Sequence, residues 1–202
     1  TKASGQGSHS EGYGDNSKKT EAIGNGSHAE GYKTTSTGDY THAEGQETTA
    51  VGVASHAEGY KTTSTGDYTH TEGNTNVASG QASHAEGMLT TAEGYYSHAE
   101  GSNTKASGQC SHAEGYGDTS KKTEAIGQGS HAEGYKTTSS GEYSHSEGQE
   151  TTAEGLASHA EGYKTTSTGD YTHAEGLSNN ANGNCTHVEG NGNEKNGGEY
   201  NH

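Results

Sequence analysis

A histidine and a glutamate recur two residues apart throughout this chain, as in SHAEG at 27–31 and THAEG at 41–45. Ten of the twelve gaps between successive motif histidines are 14 residues, and the other two are 19. Imidazole and carboxylate groups can share a proton, form hydrogen bonds or bind transition metals. These candidate site residues, which we call the His/Glu ladder, are His9, Glu11, His28, Glu30, His42, Glu44, His56, Glu58, His70, Glu72, His84, Glu86, His98, Glu100, His112, Glu114, His131, Glu133, His145, Glu147, His159, Glu161, His173, Glu175, His187 and Glu189.

Glycine spacing indicates the elements that position the ladder. A glycine lies three residues after each ladder histidine and four residues before it. Glycine at fixed intervals marks turns that need a positive φ or a close backbone approach. Seven residues hold a short strand and a turn, but not a useful helix and a turn. The spacing therefore predicts an all-β solenoid, with two strands and two turns in each 14-residue coil.

Small residues predict which side of each strand faces inward. Around His28 they are Ser27 and Ala29 in one strand, and Thr20 and Ala22 in the other. In every repeat the residue before the histidine is Ser or Thr and the residue after it is Ala, Ser, Thr or Val. The residue six positions before the histidine is Ala or Ser, and the residue eight positions before it is Thr or Asn. Alternate residues of a strand face opposite sides, so small residues line a thin core and the ladder faces outward.

A stacked ladder raises a problem of charge. Coils in register place successive carboxylates ~4.8 Å apart, where two like charges repel by about 3–4 kcal/mol at an effective dielectric constant of 20. We therefore expect hydrogen-bonded His–Glu pairs in which the carboxylates raise the pKa of histidine. Stability from a raised pKa is complete below the unfolded value near ~6.5 and is lost at higher pH. The assembly should then weaken at alkaline pH.

Composition limits the function classes. The 202 residues are 23% hydrophobic and carry a net charge of −16, values typical of disordered chains, but the strict period predicts a folded array. The charge argues against nucleic acid as a partner, and no segment is apolar enough to insert into a membrane. Thirteen equivalent His/Glu copies, with no distinct pocket or nucleophile, indicate a lattice and not an enzyme.

The whole pattern returns after 103 residues, which predicts one solenoid array over 1–202 that grew by duplication. Both 19-residue gaps contain extra residues, expected as inserted loops at about 14–20 and 117–123. Their lysines, Lys18, Lys19, Lys121 and Lys122, are candidate receptor contacts or plain solvated turns. Abrupt ends suggest a fragment of a longer protein. Tyrosines two residues before alternate histidines, such as Tyr40, are expected to pack at the edge of an interface or to contact a ligand.

The segments ASGQGSHSEG (3–12), AVGVASHAEG (50–59) and ASGQASHAEG (78–87) resemble the 14-residue head repeat of YadA-like trimeric autotransporter adhesins. The resemblance implies a left-handed parallel β-roll and a side-by-side homotrimer, in which a Val/Ile strand faces the neighbouring chains. Here His and Glu replace that Val and Ile, so the implied interface is a polar ladder. SHAEG arrays also resemble segments of phage and prophage tail appendages.

Together these features predict a structural or adhesive rod module of a bacterial surface adhesin or phage tail fibre. It is expected to be extracellular and to need no cofactor. The ladder would join the three chains, and the receptor is left unidentified. One alternative is a trimeric solenoid that binds Zn²⁺ or Ni²⁺, since His and Glu ligate both metals. A more remote alternative is an ice-binding solenoid, suggested by TST at 35–37, 63–65 and 166–168.

Overall fold

The computed structural model describes residues 1–195, which form an all-β solenoid of 14-residue coils. Each regular coil supplies one short strand to a first sheet and one ladder strand to a second. The predicted fold class and two-strand coil are therefore confirmed, and no helix occurs in the described range. The chain forms two compact units, Thr1–Glu100 and Gly101–His202. One continuous array over 1–202 stays a prediction, and residues 196–202 lie outside the described part.

In the first unit, the short-strand sheet consists of β1 (Lys2–Ala3), β3 (Glu21–Ala22), β5 (Thr35–Ser36), β7 (Thr49–Ala50), β9 (Thr63–Ser64), β11 (Val77–Ala78) and β13 (Thr91–Ala92). Its ladder sheet consists of β2 (His9–Tyr13), β4 (His28–Tyr32), β6 (His42–Gln46), β8 (His56–Tyr60), β10 (His70–Asn74), β12 (His84–Met88) and β14 (His98–Ala99).

In the second unit, the short-strand sheet consists of β15 (Thr104–Ala106), β17 (Thr123–Ala125), β19 (Thr138–Ser139), β21 (Thr152–Ala153), β23 (Thr166–Ser167), β25 (Asn180–Ala181) and β27 (Glu194–Lys195). Its ladder sheet consists of β16 (His112–Tyr116), β18 (His131–Tyr135), β20 (His145–Gln149), β22 (His159–Tyr163), β24 (His173–Leu177) and β26 (His187–Val188).

The strands are parallel and in register, so equivalent residues of successive coils lie side by side. His28 pairs with His42, and Glu30 with Glu44. The 19-residue gaps keep this register, because β2 still pairs with β4, and β16 with β18, histidine to histidine. The extra residues are therefore accommodated in loops and leave the ladder unbroken at both places.

The core is narrow and built mainly from Ala, Ser and Thr. Ala22, Ala29, Thr20 and Ser27 are at most 1% exposed, as the alternation predicts. Some buried hydroxyl groups find partners close by, as the Ser27 hydroxyl donates to the Gly24 carbonyl at 2.6 Å. Others, such as the hydroxyls of Thr34 and Ser55, are buried without a hydrogen bond. With so little apolar area to bury, the fold depends on coil-to-coil backbone hydrogen bonds and close contact.

The two glycines of each coil have different roles. Gly31, three residues after its histidine, has φ of 108°, a backbone conformation that favours glycine. Gly24, four residues before the same histidine, instead lies against the next coil, where an added Cβ would be 1.9 Å from the Gly38 carbonyl oxygen. One glycine therefore makes the turn, and the other allows the coils to approach.

Two further positions in each regular coil, two residues before the histidine and five residues after it, have a left-handed backbone. Most of the residues there are not glycine, so their types do not predict this conformation. Tyr40 has φ of 59° and Lys33 has φ of 57°. Tyr40 is 71% exposed, and its ring lies against Gly26 of the preceding coil. Tyr143 contacts Gly129 in the same way. These tyrosines therefore pack over small residues at the edge of the ladder face.

The two inserted segments are ordered turns around an aspartate. In the first loop, residues 14–20, Asp15 Oδ1 accepts backbone hydrogen bonds from Ser17 at 2.8 Å and Lys18 at 3.2 Å. Asp15 Oδ2 lies 2.6 Å from Lys33 Nζ, and this ammonium group, more than any other neighbour, lowers the pKa of Asp15 well below its ordinary value. The second loop, residues 117–122, repeats the arrangement with Asp118 and Lys136. It ends one residue before the expected boundary because β17 begins at Thr123.

Replacement of Asp15 by alanine should loosen the first loop while leaving the solenoid folded. The variant loses the acceptor for two backbone N–H groups and the partner of Lys33, so the loop should open more often. Limited trypsin digestion should then cut after Lys18 or Lys19 several-fold faster than in the wild type. Glu154→Ala, which removes an exposed carboxylate from the other unit, is the control; equal cleavage rates in the two variants would contradict the assignment.

Candidate functional site

Within each unit the ladder sheet stacks the rings of successive described ladder histidines, with His9 as an exception. In the first unit, the rings of His42 and His56 are 4.7 Å apart between centroids and 8° from parallel. In the second unit, the rings of His145 and His159 are 4.8 Å apart and 4° from parallel. His9 is different, since its ring is tilted by 60° against the ring of His28. The spacing of the stack is the spacing of the parallel strands.

In eleven ladder strands the glutamate lies within 4.0 Å of the histidine of its own strand. His56 Nε2 is 3.4 Å from Glu58 Oε2, and His28 Nε2 is 3.5 Å from Glu30 Oε2. These contacts bring the groups to ion-pair distance, but the buried Nε2 atom of His56 makes no hydrogen bond. The predicted His–Glu proximity is therefore present, whereas His–Glu hydrogen bonding between chains stays a prediction. The same Nε2 atom is buried without a hydrogen bond in His28, His42, His56, His70, His84, His131, His145, His159 and His173.

The expectation of a raised histidine pKa is wrong for five ladder residues. Burial lowers the pKa of His56, and the imidazoles of His42 and His70 lower it further. Glu58 and Glu44 act in the opposite direction with smaller effect. Partial burial of the ring therefore outweighs the carboxylates, and a charged ring is also repelled by its stacked neighbours. The pKa is lowered in His56, His84, His145, His159 and His173.

The outer surface of the ladder is half open in the single chain. The His56 side chain is 36% exposed and the Glu58 side chain 47% exposed. Imidazole nitrogens thus lie beneath a surface of carboxylates that another molecule can reach. Tyrosines border this surface at both strand ends, as Tyr40 does on one side and Tyr60 on the other.

The candidate receptor lysines do not all project into solvent. Lys18 and Lys121 are half-buried, and burial lowers the pKa of both. Lys18 Nζ reaches the Thr49 hydroxyl at 3.4 Å. Lys122 is also half-buried, whereas Lys19 is exposed. The loops are therefore partly folded back onto neighbouring coils.

Sequence reasoning missed the ion pairs that hold the first and second loops. Lys33 Nζ lies 5.0 Å from the centroid of the Tyr32 ring as well as beside Asp15. Lys136 does the same with Tyr135 and Asp118. The sequence feature that could have indicated these contacts is the Tyr-Lys dipeptide. It recurs four residues after a ladder histidine, at 32–33, 60–61, 135–136 and 163–164.

Several ladder groups have the composition of a metal site. His56, Glu58 and His70 each offer a ligand atom, and these atoms lie within 4.8 Å of one another. His145, Glu147 and His159 form an equivalent group in the second unit. Two imidazoles and one carboxylate are a ligand set suited to Zn²⁺ and related ions.

Comparison of the chain with models of protein families and with curated proteins gave no match. Among the described residues, no helix has the length and apolar character needed to cross a membrane.

Proposed function

We propose that this chain is a structural rod module of an extracellular bacterial surface adhesin or phage tail fibre, and that it assembles as a homotrimer through the His/Glu ladder. The observation that supports this most is the row of buried Nε2 atoms without hydrogen bonds on a half-exposed face. A buried polar atom left without a partner costs about 1–3 kcal/mol. Because the unpartnered nitrogen recurs in successive coils, a partner whose polar groups recur at the same spacing is favoured.

A second copy of the same face is the partner whose spacing fits. Its carboxylates and imidazoles recur at the same ~4.8 Å rise, so donors and acceptors can meet in every coil. The bordering tyrosines agree with this proposal, because tyrosine is enriched in protein interfaces. Three copies, rather than two, follow from the resemblance to trimeric adhesin heads.

Charge makes this assembly dependent on salt. The thirteen ladder glutamates carry most of the net charge, since the remaining 14 acidic residues nearly balance the 11 lysines. Copies that meet through the ladder bring these carboxylates together. Added salt screens such repulsion, so the trimer should become more stable as ionic strength rises. We place receptor contact at the loops that contain Lys19 and Lys122, away from the ladder.

Charge reversal on the ladder should prevent assembly. Glu147→Lys with Glu161→Lys relieves part of the carboxylate repulsion, but it removes two acceptors that the facing imidazoles need. It also places two long ammonium side chains, which only donate hydrogen bonds, between the copies. The matched control is Glu124→Lys with Glu154→Lys, which makes the same charge change in β17 and directly after β21 of the same unit.

We expect the ladder variant to sediment as a monomer, the control to sediment as a trimer, and both to keep the wild-type circular dichroism spectrum. A ladder variant that assembles as well as its control would count against the proposed interface.

A further inference from the structure

We propose that the ladder binds divalent zinc between neighbouring coils of a single chain, with one ion for every two coils. Each site consists of two stacked imidazoles and the carboxylate of the first coil. The clearest sites are His56, Glu58 and His70 in the first unit, and His145, Glu147 and His159 in the second. The site does not depend on the proposed trimer, because one chain supplies all three ligands, although zinc would bind the same Nε2 atoms that the trimer is proposed to pair.

The ligand atoms of each site lie close together but do not form hydrogen bonds with one another through the histidine Nε2 atoms. The Nε2 atoms of His56 and His70 are both buried and neither makes a hydrogen bond. Glu58 Oε2 lies 3.4 Å from the first of them. Nitrogen and carboxylate ligands at a half-open face favour a borderline ion such as Zn²⁺ over Mg²⁺ or Ca²⁺, which require mostly oxygen ligands.

Binding requires a modest rotation of the rings. Zinc–nitrogen bonds are about 2.0–2.1 Å, so two nitrogens on one ion lie at most about 4.2 Å apart. The ligand atoms of the first site are spread over up to 4.8 Å, and the His56 and His70 rings are already 23° from parallel. The 60° tilt between His9 and His28 is an orientation that the same strand geometry accommodates.

Electrostatics and ligand number set the stoichiometry. Each ion uses the histidines of two coils, so ions in successive sites cannot share a ring nitrogen. Ions two coils apart also repel half as strongly as ions one coil apart, since the energy falls with distance. The groups in the first unit, His56–Glu58–His70 and His84–Glu86–His98, have this two-coil spacing.

Two triple variants with the same composition test the pairing. The alternating variant replaces every second histidine with glutamine (His28→Gln, His56→Gln and His84→Gln), which leaves no two neighbouring histidines in the first unit. The consecutive variant replaces three in a row (His28→Gln, His42→Gln and His56→Gln) and leaves the His84–Glu86–His98 group intact. Each full-length protein is stripped with a chelator, dialysed against zinc chloride, and analysed for bound zinc per chain.

The wild type should bind at most one zinc for every two coils. The alternating variant should lose all the zinc of the first unit, whereas the consecutive variant should keep at least one more ion than the alternating variant. Equal zinc content in the two variants, one ion per histidine, or no zinc retained by the wild type would overturn the proposal. Sedimentation of the same samples distinguishes the zinc site from the proposed trimer. Zinc bound to a monomer supports the zinc site and contradicts the trimer.

Discussion

Replacement of Gly24 by alanine is expected to destabilise the first unit by at least about 3 kcal/mol, the upper part of the range for overpacking a tight interior. The added Cβ would lie 1.9 Å from the Gly38 carbonyl oxygen and 2.4 Å from its carbonyl carbon. Both atoms are backbone, so the strain cannot be relieved by rotating a side chain. The coils would have to separate, which would break the hydrogen bonds on either side. Urea unfolding followed by circular dichroism measures the loss.

Gly7→Ala is the matched control for this prediction. Gly7 has φ of 69° and nothing within 4 Å of an added Cβ, so alanine meets only the cost of a left-handed backbone, roughly 1–2 kcal/mol. A Gly24→Ala variant no less stable than Gly7→Ala would contradict the close contact between coils.

Acidification is expected to lower the stability of the metal-free protein. The folded pKa of His56 lies below its unfolded value, because the ring is half-buried and His42 and His70 face it from above and below. Glu44 and Glu58 oppose this only in part. The same direction holds for His84, His145, His159 and His173, so protonation favours the unfolded chain at five sites.

The pH window follows from the sign of the shift. Above the unfolded pKa near ~6.5 the rings are neutral in both states and stability is at its maximum. As pH falls below that value, the unfolded chain binds protons first, and stability decreases until the folded pKa is passed. Thermal unfolding with a chelator present should give a Tm several degrees lower at pH 5 than at pH 8. A Tm that instead rises on acidification would contradict the lowered pKa values and support the raised histidine pKa expected from the sequence.

Most of the fold could be predicted because every repeat has the same pattern of small residues and glycines. Ala22 and Ala29 mark the inward side of two strands, Gly31 marks a turn, and Gly24 marks the close approach of two coils. A one-residue error in register would turn the ladder into the core, so the alternation left a single solution. Small residues at inward positions also predicted how thin the coil would be.

The features that sequence missed depend on three-dimensional detail. The positive φ of Tyr40 and Lys33 follows from the closure of a short coil, not from the residue type, since both side chains disfavour that backbone. The direction in which the His56 pKa shifts depends on how far the ring is buried. The spacing of residues in the sequence does not reveal the burial of a side chain. Equally, the loop lysine Lys18 lies against Thr49 through a contact between residues distant in sequence.

The central claim is that copies of this chain assemble through the His/Glu ladder, and the solution mass tests it most directly. Sedimentation equilibrium of the chelator-treated protein at neutral pH and moderate salt should give three times the chain mass of 20.7 kDa. A mass of one chain under these conditions would contradict the assembly and leave the ladder as a solvent-facing surface.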